Sequence, residues 1–352
     1  NMTMNNAAGM ALTASSVTNF YVNRFNLAIR ENSASLMTAT ADAMHFVSMH
    51  GDAFVTNCLI ENSHDDALNI KQGYWYKLAD AEGGTTKSMT LARITSEVAQ
   101  PNVGDKIAVY DEQTFASYNP TQGYYTIASV TKSGTGYVVT VNERMSNVSD
   151  WGVARVTFLS DTPNFVFANN IVRNKRNRGV LVQVPNATIE NNAFINVGHG
   201  SIQAASAMDV YNEATLPQGL TIANNKFINN CYLKPEPLYG DISIFAISSN
   251  ASVAPAETIH DITIENNYIS HNGNASISMR GVGKDSIVKD NLFNDASTSQ
   301  PSGDTFNCLV HLYNASDITL DGNYNNYTLD NGLSGIVLQG KTSESDINVL
   351  DN

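Results

Sequence analysis

A phrase of the form apolar-x-Asn-Asn-x-apolar returns along this chain and limits its fold more than any other feature. It stands at Phe167-Ala168-Asn169-Asn170-Ile171, Ile189-Glu190-Asn191-Asn192-Ala193-Phe194, Ile222-Ala223-Asn224-Asn225-Lys226-Phe227 and Ile264-Glu265-Asn266-Asn267-Tyr268-Ile269. Looser versions occur at Val22-Asn23-Arg24-Phe25, Val55-Thr56-Asn57-Cys58, Val288-Lys289-Asp290-Asn291-Leu292-Phe293 and Leu320-Asp321-Gly322-Asn323-Tyr324. From Asn170 to Asn323 the second asparagines fall 22, 33, 42, 24 and 32 residues apart. A bare period of 22 to 24 residues is one turn of a solenoid of short strands, and the longer gaps are the same turn with loops added. Asparagine suits the corner because it tolerates the left-handed conformation and its amide can bond the asparagine of the next turn. The leucine lattice of leucine-rich repeats and the 3.6-residue periodicity of helical solenoids are both missing. The chain therefore reads as all-β, a right-handed parallel β-helix.

One interval breaks the rhythm, the 113 residues from Asn57 to Asn170. Inside it lie alternating runs at Ser88 to Ile94, Lys106 to Tyr110, Tyr125 to Val130 and Gly136 to Val141, the last two joined by the turn Lys132-Ser133-Gly134-Thr135-Gly136. These predict a small antiparallel β-barrel over residues 73–158, inserted into a β-helix made of residues 1–72 and 159–352.

Two copies of a shorter motif flank the start of that insertion. Asp42-Ala43-Met44-His45-Phe46 lies over Asp66-Ala67-Leu68-Asn69-Ile70 at an offset of 24 residues, about one bare turn. Stacked strands lie about 4.8 Å apart, so the motifs bring Asp42, Asp65 and Asp66 into one patch beside His45, His64 and Asn69. Three carboxylates so close cannot all ionise freely, and one should hold its proton to higher pH, as an acid/base site requires. A gapless match of Asn170 to Gln183 with Asn57 to Ile70 puts Arg178 over Asp65 and Asn177 over His64. The barrel, following this coil directly, would wall one side of the patch; the alternative is a decorative domain on the far side. Tyr232, Tyr239 and Phe245, on later loops, are either the roof of a groove or packing residues.

A net charge of −13 argues against nucleic acid as a partner, since phosphate binding wants a basic face, without excluding polyanions locally. No run of about 18 apolar residues marks a membrane span. Cys58, Cys231 and Cys308 lie far apart without metal-site spacing, so no zinc centre and no cofactor is expected. The chain opens on Asn1 with the repeat already under way, which suggests a fragment or a processed protein.

Taken in order, Ala41 to Phe46, His64 to Asn69, an inserted barrel, Asn174-Lys175-Arg176-Asn177-Arg178-Gly179 through Gln183, and Ile189 to Phe194 resemble glycoside hydrolase family 110, the α-1,3-galactosidases, over roughly Ser16 to Phe227. The resemblance implies exo-cleavage of terminal α-1,3-linked galactose with inversion and without a metal. Its acidic functional positions fall on Asp42, Asp65 and Asp66, and a further one near the sugar on Glu213. The family follows its Asp pair with Asn-Val-His-Gly, whereas this chain has Asn69-Ile70-Lys71-Gln72-Gly73. An ammonium in place of an imidazole extends the expected substrates to sulfated or otherwise anionic sugars.

The expected catalytic residues are Asp42, Asp65 and Asp66, with His45, His64, Asn69, Lys71, Trp75, Arg178, Gln183 and Glu213 binding an oligo- or polysaccharide. The raised acid is assigned to Asp42 or Asp66, and the base to whichever of Asp65, Asp66 or Glu213 lies across the sugar. The structural alternatives are a corner in which Asp65 and Asp66 cap backbone amides, histidines that satisfy neighbouring coils, and Trp75 and Tyr76 as barrel core. Two rival classes share the fold, a polysaccharide lyase with Lys71 or Arg178 as base, and a non-catalytic glycan-binding rod. Glycan chemistry on a β-helix suggests a secreted or periplasmic protein, and assembly of identical copies is left open.

Overall fold

The computed structural model describes residues 2–78, 87–92, 100–160, 162–209, 211–233, 240–296, 308–326 and 334–350. Arg93, Ile94 and Tyr239 lie outside the described residues. Three parallel sheets of nine strands each run the length of the solenoid among the described residues. Each coil supplies one strand to every sheet, as Leu59–Glu61, Leu68–Lys71 and Asn164–Ala168 do around the insertion. The core fills the tube between the sheets, where Phe194 and Phe227 stack with ring centroids 5.2 Å apart and planes 4° from parallel. No described helix is long and apolar enough to cross a membrane.

The paired asparagines divide two tasks between them. Asn57, Asn169, Asn191, Asn224 and Asn266 all take φ between 54° and 58°, the left-handed bend that ends one strand. The residue after each bend points inward, and from Asn170 onward that residue is a buried asparagine. Asn192 Nδ2 donates to the Phe167 carbonyl at 2.8 Å and to Asn225 Oδ1 at 3.0 Å, while its own Oδ1 accepts the Asn170 amide at 2.8 Å. The same pattern runs from Asn225 to Asn267, Asn291 and Asn323.

The ladder begins at Cys58, whose amide donates to Asn170 Oδ1 at 2.8 Å. Asn57 is thus the partner of the bend asparagine Asn169, and residues before the insertion align with those after it one position earlier than the sequence match implies. Strand pairing shows this directly, with Leu59 opposite Ile171 and Leu68 opposite Val180. The 24-residue repeat holds as read, with His45 opposite Asn69 and Phe46 opposite Ile70.

Between the Leu68–Lys71 and Asn164–Ala168 strands the chain leaves the solenoid. A closed antiparallel barrel orders Tyr76–Leu78, Ser88–Ala92, Gly136–Val141, Tyr125–Ser133, Lys106–Asp111 and Ala154–Phe158. It has its own core, including Tyr76, Leu91, Val109, Tyr125 and Val156. At the tip of its 133/136 hairpin Gly134 takes φ 60°, a left-handed conformation that glycine adopts without steric cost. At the neck, Gly73–Tyr74 pairs antiparallel with Glu213–Ala214 from a solenoid loop.

Asn192→Ala would strand one buried acceptor and one buried donor on neighbouring coils, so it is expected to cost on the order of 3 kcal/mol in urea unfolding. Asn191→Ala, which only strains a bend, should cost about 1 to 2 kcal/mol. Equal losses would contradict the division of labour.

Candidate active site

Three successive coils turn the same corner before entering the third sheet, and their corner residues stack. Asp42 precedes the strand Met44–Val47, Asp65 and Asp66 precede Leu68–Lys71, and Asn177 and Arg178 precede Val180–Gln183. A carboxylate oxygen from each of Asp42, Asp65 and Asp66 lies within 4.8 Å of the other two. The Asp66 backbone amide donates to Asp42 Oδ1 at 3.2 Å, and Asp42 Oδ2 lies 2.7 Å from His45 Nδ1. Gly179 completes the turn, since a Cβ there would stand 2.2 Å from the Ser201 carbonyl oxygen.

Arg178 grips Asp66, not Asp65, through Nε to Oδ1 at 2.8 Å and Nη2 to Oδ2 at 3.2 Å. Asn177 Nδ2 donates to Asp65 Oδ1 at 2.5 Å. Both partners differ from the expected ones by the single position that Cys58 introduces in the ladder. Burial pushes the Asp66 carboxyl up to about 6, the guanidinium of Arg178 pulling it down and the charge of Asp42 adding to the rise.

Behind the cluster lies a cation that sequence reasoning did not single out. Lys175 is fully buried, and its Nζ donates to the Ser63 carbonyl at 3.3 Å, to Ser63 Oγ and to the Asp65 carbonyl. Burial pushes its ammonium down to about 8, against the attraction of Asp66, Asp42 and Asp65. The signal was present in the strand pattern. Lys175 occupies the position that Val197 fills in the next coil, and a charge at an inward apolar position needs a reason.

Asp65 opens onto a groove of about 400 Å³ that also exposes Asn69, Arg178, Gln183, Gln203 and Glu213. Asp42 and Asp66 are buried behind it and are not among the described residues that line it. Glu213 stands at the far end of the strand Leu68–Lys71 from Asp65. It accepts from Lys71 Nζ at 2.9 Å and from Gln183 Nε2 at 3.0 Å. The neck of the barrel fixes it there, because Trp75 Nε1 donates to the Glu213 carbonyl at 3.0 Å and Asn212 Nδ2 to the Trp75 carbonyl at 2.8 Å.

Several expectations are corrected by this geometry. Trp75 is fully buried edge-on against Tyr110 and Phe115, so it supports Glu213 from behind and presents no face to a sugar. The Lys71 ammonium is buried and spent on Glu213, which removes the ground for an anionic substrate at that position. His64 is exposed, with Nε2 3.0 Å from Arg176 Nη1, and His45 serves Asp42. No described barrel residue lines the groove, so the insertion acts through its neck and not as a wall. Phe245 belongs to the groove floor, while the Tyr232 hydroxyl donates to the Lys175 carbonyl at 3.2 Å.

No protein-family model matches the chain. Alpha-1,3-galactosidase B of Akkermansia muciniphila is 29% identical over 248 residues, covering 69% of this chain and 30% of that protein. By sequence the chain is similar to proteins named α-1,3-galactosidase. Alpha-1,3-galactosidase B of Parabacteroides distasonis is 25% identical, covering 65% of this chain and 39% of that protein. Alpha-1,3-galactosidase A of Streptomyces avermitilis is 24% identical, with shares of 75% and 42%. The chain thus spans between 30% and 42% of the length of these relatives. A solved structure titled "Crystal structure of Agl-KA catalytic domain" shares 13% identity at a TM-score of 0.48, covering all of this chain and 44% of that one.

Removing the buried ammonium would leave Asp42, Asp65 and Asp66 with less compensation, so Lys175→Met should cost about 3 to 5 kcal/mol of stability at pH 7. The Asp66 carboxyl binds its proton more tightly in the folded than in the unfolded chain, so folding gains from protonation as pH falls below about 6. The Lys175→Met deficit should therefore shrink at pH 5, as read by urea unfolding at the two pH values. A deficit that grows on acidification would contradict the charge balance.

Proposed function

We propose that this chain carries the active site of an inverting exo-glycoside hydrolase that releases terminal α-1,3-linked galactose from a glycan. The observation that carries the reading is a groove with Asp65 at one end of a strand and Glu213 at the other, backed by a buried carboxyl cluster that keeps a proton towards neutral pH. The likeness to the α-1,3-galactosidases supports galactose as the sugar. With Lys71 neutralised by Glu213, the substrate is read as an unsulfated galactoside. A secreted or periplasmic location suits such a substrate.

Hydrolysis needs a proton for the departing glycosidic oxygen and a base for the attacking water. Asp65 is the member of the cluster that reaches the groove, so it passes the proton to the leaving oxygen as the C1–O bond breaks. Asp66, its carboxyl pushed up to about 6 by burial, stores that proton behind Asp65. Glu213, oriented by Lys71 and Gln183, takes the proton of a water that attacks C1 from the opposite face. Arg178 and Lys175 supply positive charge at the cluster, the task a divalent ion would otherwise perform, and the reaction is read as metal-independent. The same contacts weigh against a lyase, because Lys71 and Arg178, its candidate bases, are each bound to a carboxylate.

Asp65→Asn and Glu213→Gln should each lower kcat by about 10² to 10⁴ on an α-1,3-galactoside, and β-galactose should be the first anomer seen by NMR. An α-anomer as first product would contradict inversion. Dialysis against EDTA should leave the rate unchanged, and a loss restored by a divalent cation would overturn metal independence. The alkaline limb of kcat/KM should fall near pH 6 and move to lower pH in Asp42→Asn, because the Asp42 charge helps to hold the Asp66 carboxyl up. An alkaline limb displaced to higher pH by that change would refute the proton assignment.

A further inference from the structure

The inserted barrel meets the solenoid a second time, away from its neck. Its segment 110–124 comes down beside the solenoid loops at 218 and 255–260, and a cleft of about 560 Å³ opens between them. Among the described residues, the cleft shares no lining residue with the groove between Asp65 and Glu213. Clefts of about 300 to 1,000 Å³ at the junction of two structural units are favoured places for small ligands.

Both walls hold conformations that only surrounding contacts can impose. Phe115, on the barrel, is the only Phe, Tyr or Trp among the described residues with a left-handed backbone, at φ 57°, and Glu257, on the solenoid, takes φ 63°. Side chains other than glycine are strained there and persist where neighbours over-determine them. At Phe115 the neighbours are plain. Its amide donates to the Asp111 carbonyl at 2.9 Å, its ring centre lies 6.1 Å from that of Trp75 and 6.4 Å from that of Tyr110, and the Ser249 amide of the solenoid donates to the Glu112 carbonyl at 2.7 Å. A ligand entering the cleft therefore meets rings that are already fixed, and little ordering is left for binding to do.

Tyr110, Phe115 and Tyr124 give the cleft an aromatic surface, and the solenoid gives it acceptors. His260 Nδ1 lies 2.5 Å from Asp261 Oδ2. A carboxylate only accepts, so Nδ1 carries the proton and Nε2 of the neutral ring is an acceptor. Glu257 Oε1 accepts from Ser316 Oγ at 3.1 Å, which leaves the other carboxylate oxygen for a ligand, and Gln218 adds a side-chain amide. No lysine or arginine is among the described lining residues, and Lys106 is placed over the Tyr124 ring, 4.3 Å from its centre. An anion would thus meet Glu257 without a lining cation. A neutral sugar offers a C–H face to the rings and hydroxyl donors to His260, Gln218 and Glu257. We propose that this cleft is a second carbohydrate site, which holds a neutral sugar of the glycan apart from the unit being cleaved. The cleft itself carries the site, and the choice of galactose as its sugar rests on the galactosidase reading.

The test follows glutamine side-chain amides by NMR in the nitrogen-15-labelled Asp65→Asn chain, titrated with an unsulfated α-1,3-linked galactose disaccharide. Gln122 and Gln218 report on the cleft, Gln183 and Gln203 on the groove. Both pairs should shift and saturate, each with its own dissociation constant. In Gln218→Leu the Gln122 signal should need about tenfold more sugar, the loss of one ligand hydrogen bond, and Tyr124→Ala should weaken the cleft in the same direction. The groove pair should titrate as before in both variants, which shows that the fold is intact. Cleft amides that stay still while the groove pair saturates overturn the proposal, as does a cleft constant that neither substitution moves. If the cleft pair shifts and the groove pair does not, the galactosidase reading fails and the second site stands; silence in both pairs refutes both. Tighter binding of a sulfated disaccharide in the cleft would also overturn the proposal, because the site would then select an anion.

Discussion

The register between coils is the constraint from which the rest of this structure follows. Backbone pairing alone tolerates a slip of one coil against the next, but an inward asparagine that bonds a carbonyl and an amide behind it and an amide oxygen ahead admits only one alignment. The left-handed asparagine before it ends each strand at the same level. Asp66 and Arg178, 112 residues apart along the chain, become neighbours because the coils that carry them are locked in this way at Asn170.

Stacking brings the acids together, and opposite charge makes the stack tolerable. Asp42, Asp65 and Asp66 are met by a bidentate guanidinium on one side and a buried ammonium beneath. Burial still outweighs the pull of Arg178 at Asp66, whose carboxyl rises to about 6. The opposite wall is built differently. Glu213 comes from a loop and owes its place to the neck of the inserted barrel, which pairs with its strand and holds its carbonyl through Trp75. The insertion, some eighty residues of sequence, thus contributes to the groove through a short antiparallel clamp at its root.

The sequence disclosed the solenoid because its repeating element is a polar residue at a corner, a signal that apolar variation cannot blur. It disclosed the acid patch because both copies of the motif keep the acid and the apolar pair at equal spacing. The sequence match sets Asn57, a bend residue, against Asn170, a ladder residue whose counterpart is Cys58, and so offsets the partner of Arg178 by one position. Lys175 lies opposite Val197 at the 22-residue offset of the coils after the insertion, so its inward direction is legible from that spacing. The occupation of Lys71 by Glu213 joins residues 142 positions apart through a loop whose path no local pattern encodes.

The most direct measurement of the whole scheme is a carbon-13 titration of the aspartate side-chain carboxyls. If the coils stack as described, the Asp66 carboxyl protonates near pH 6. An Asp66 titration near the ordinary aspartate value of about 3.9 would mean that its side chain is not buried in the stacked site.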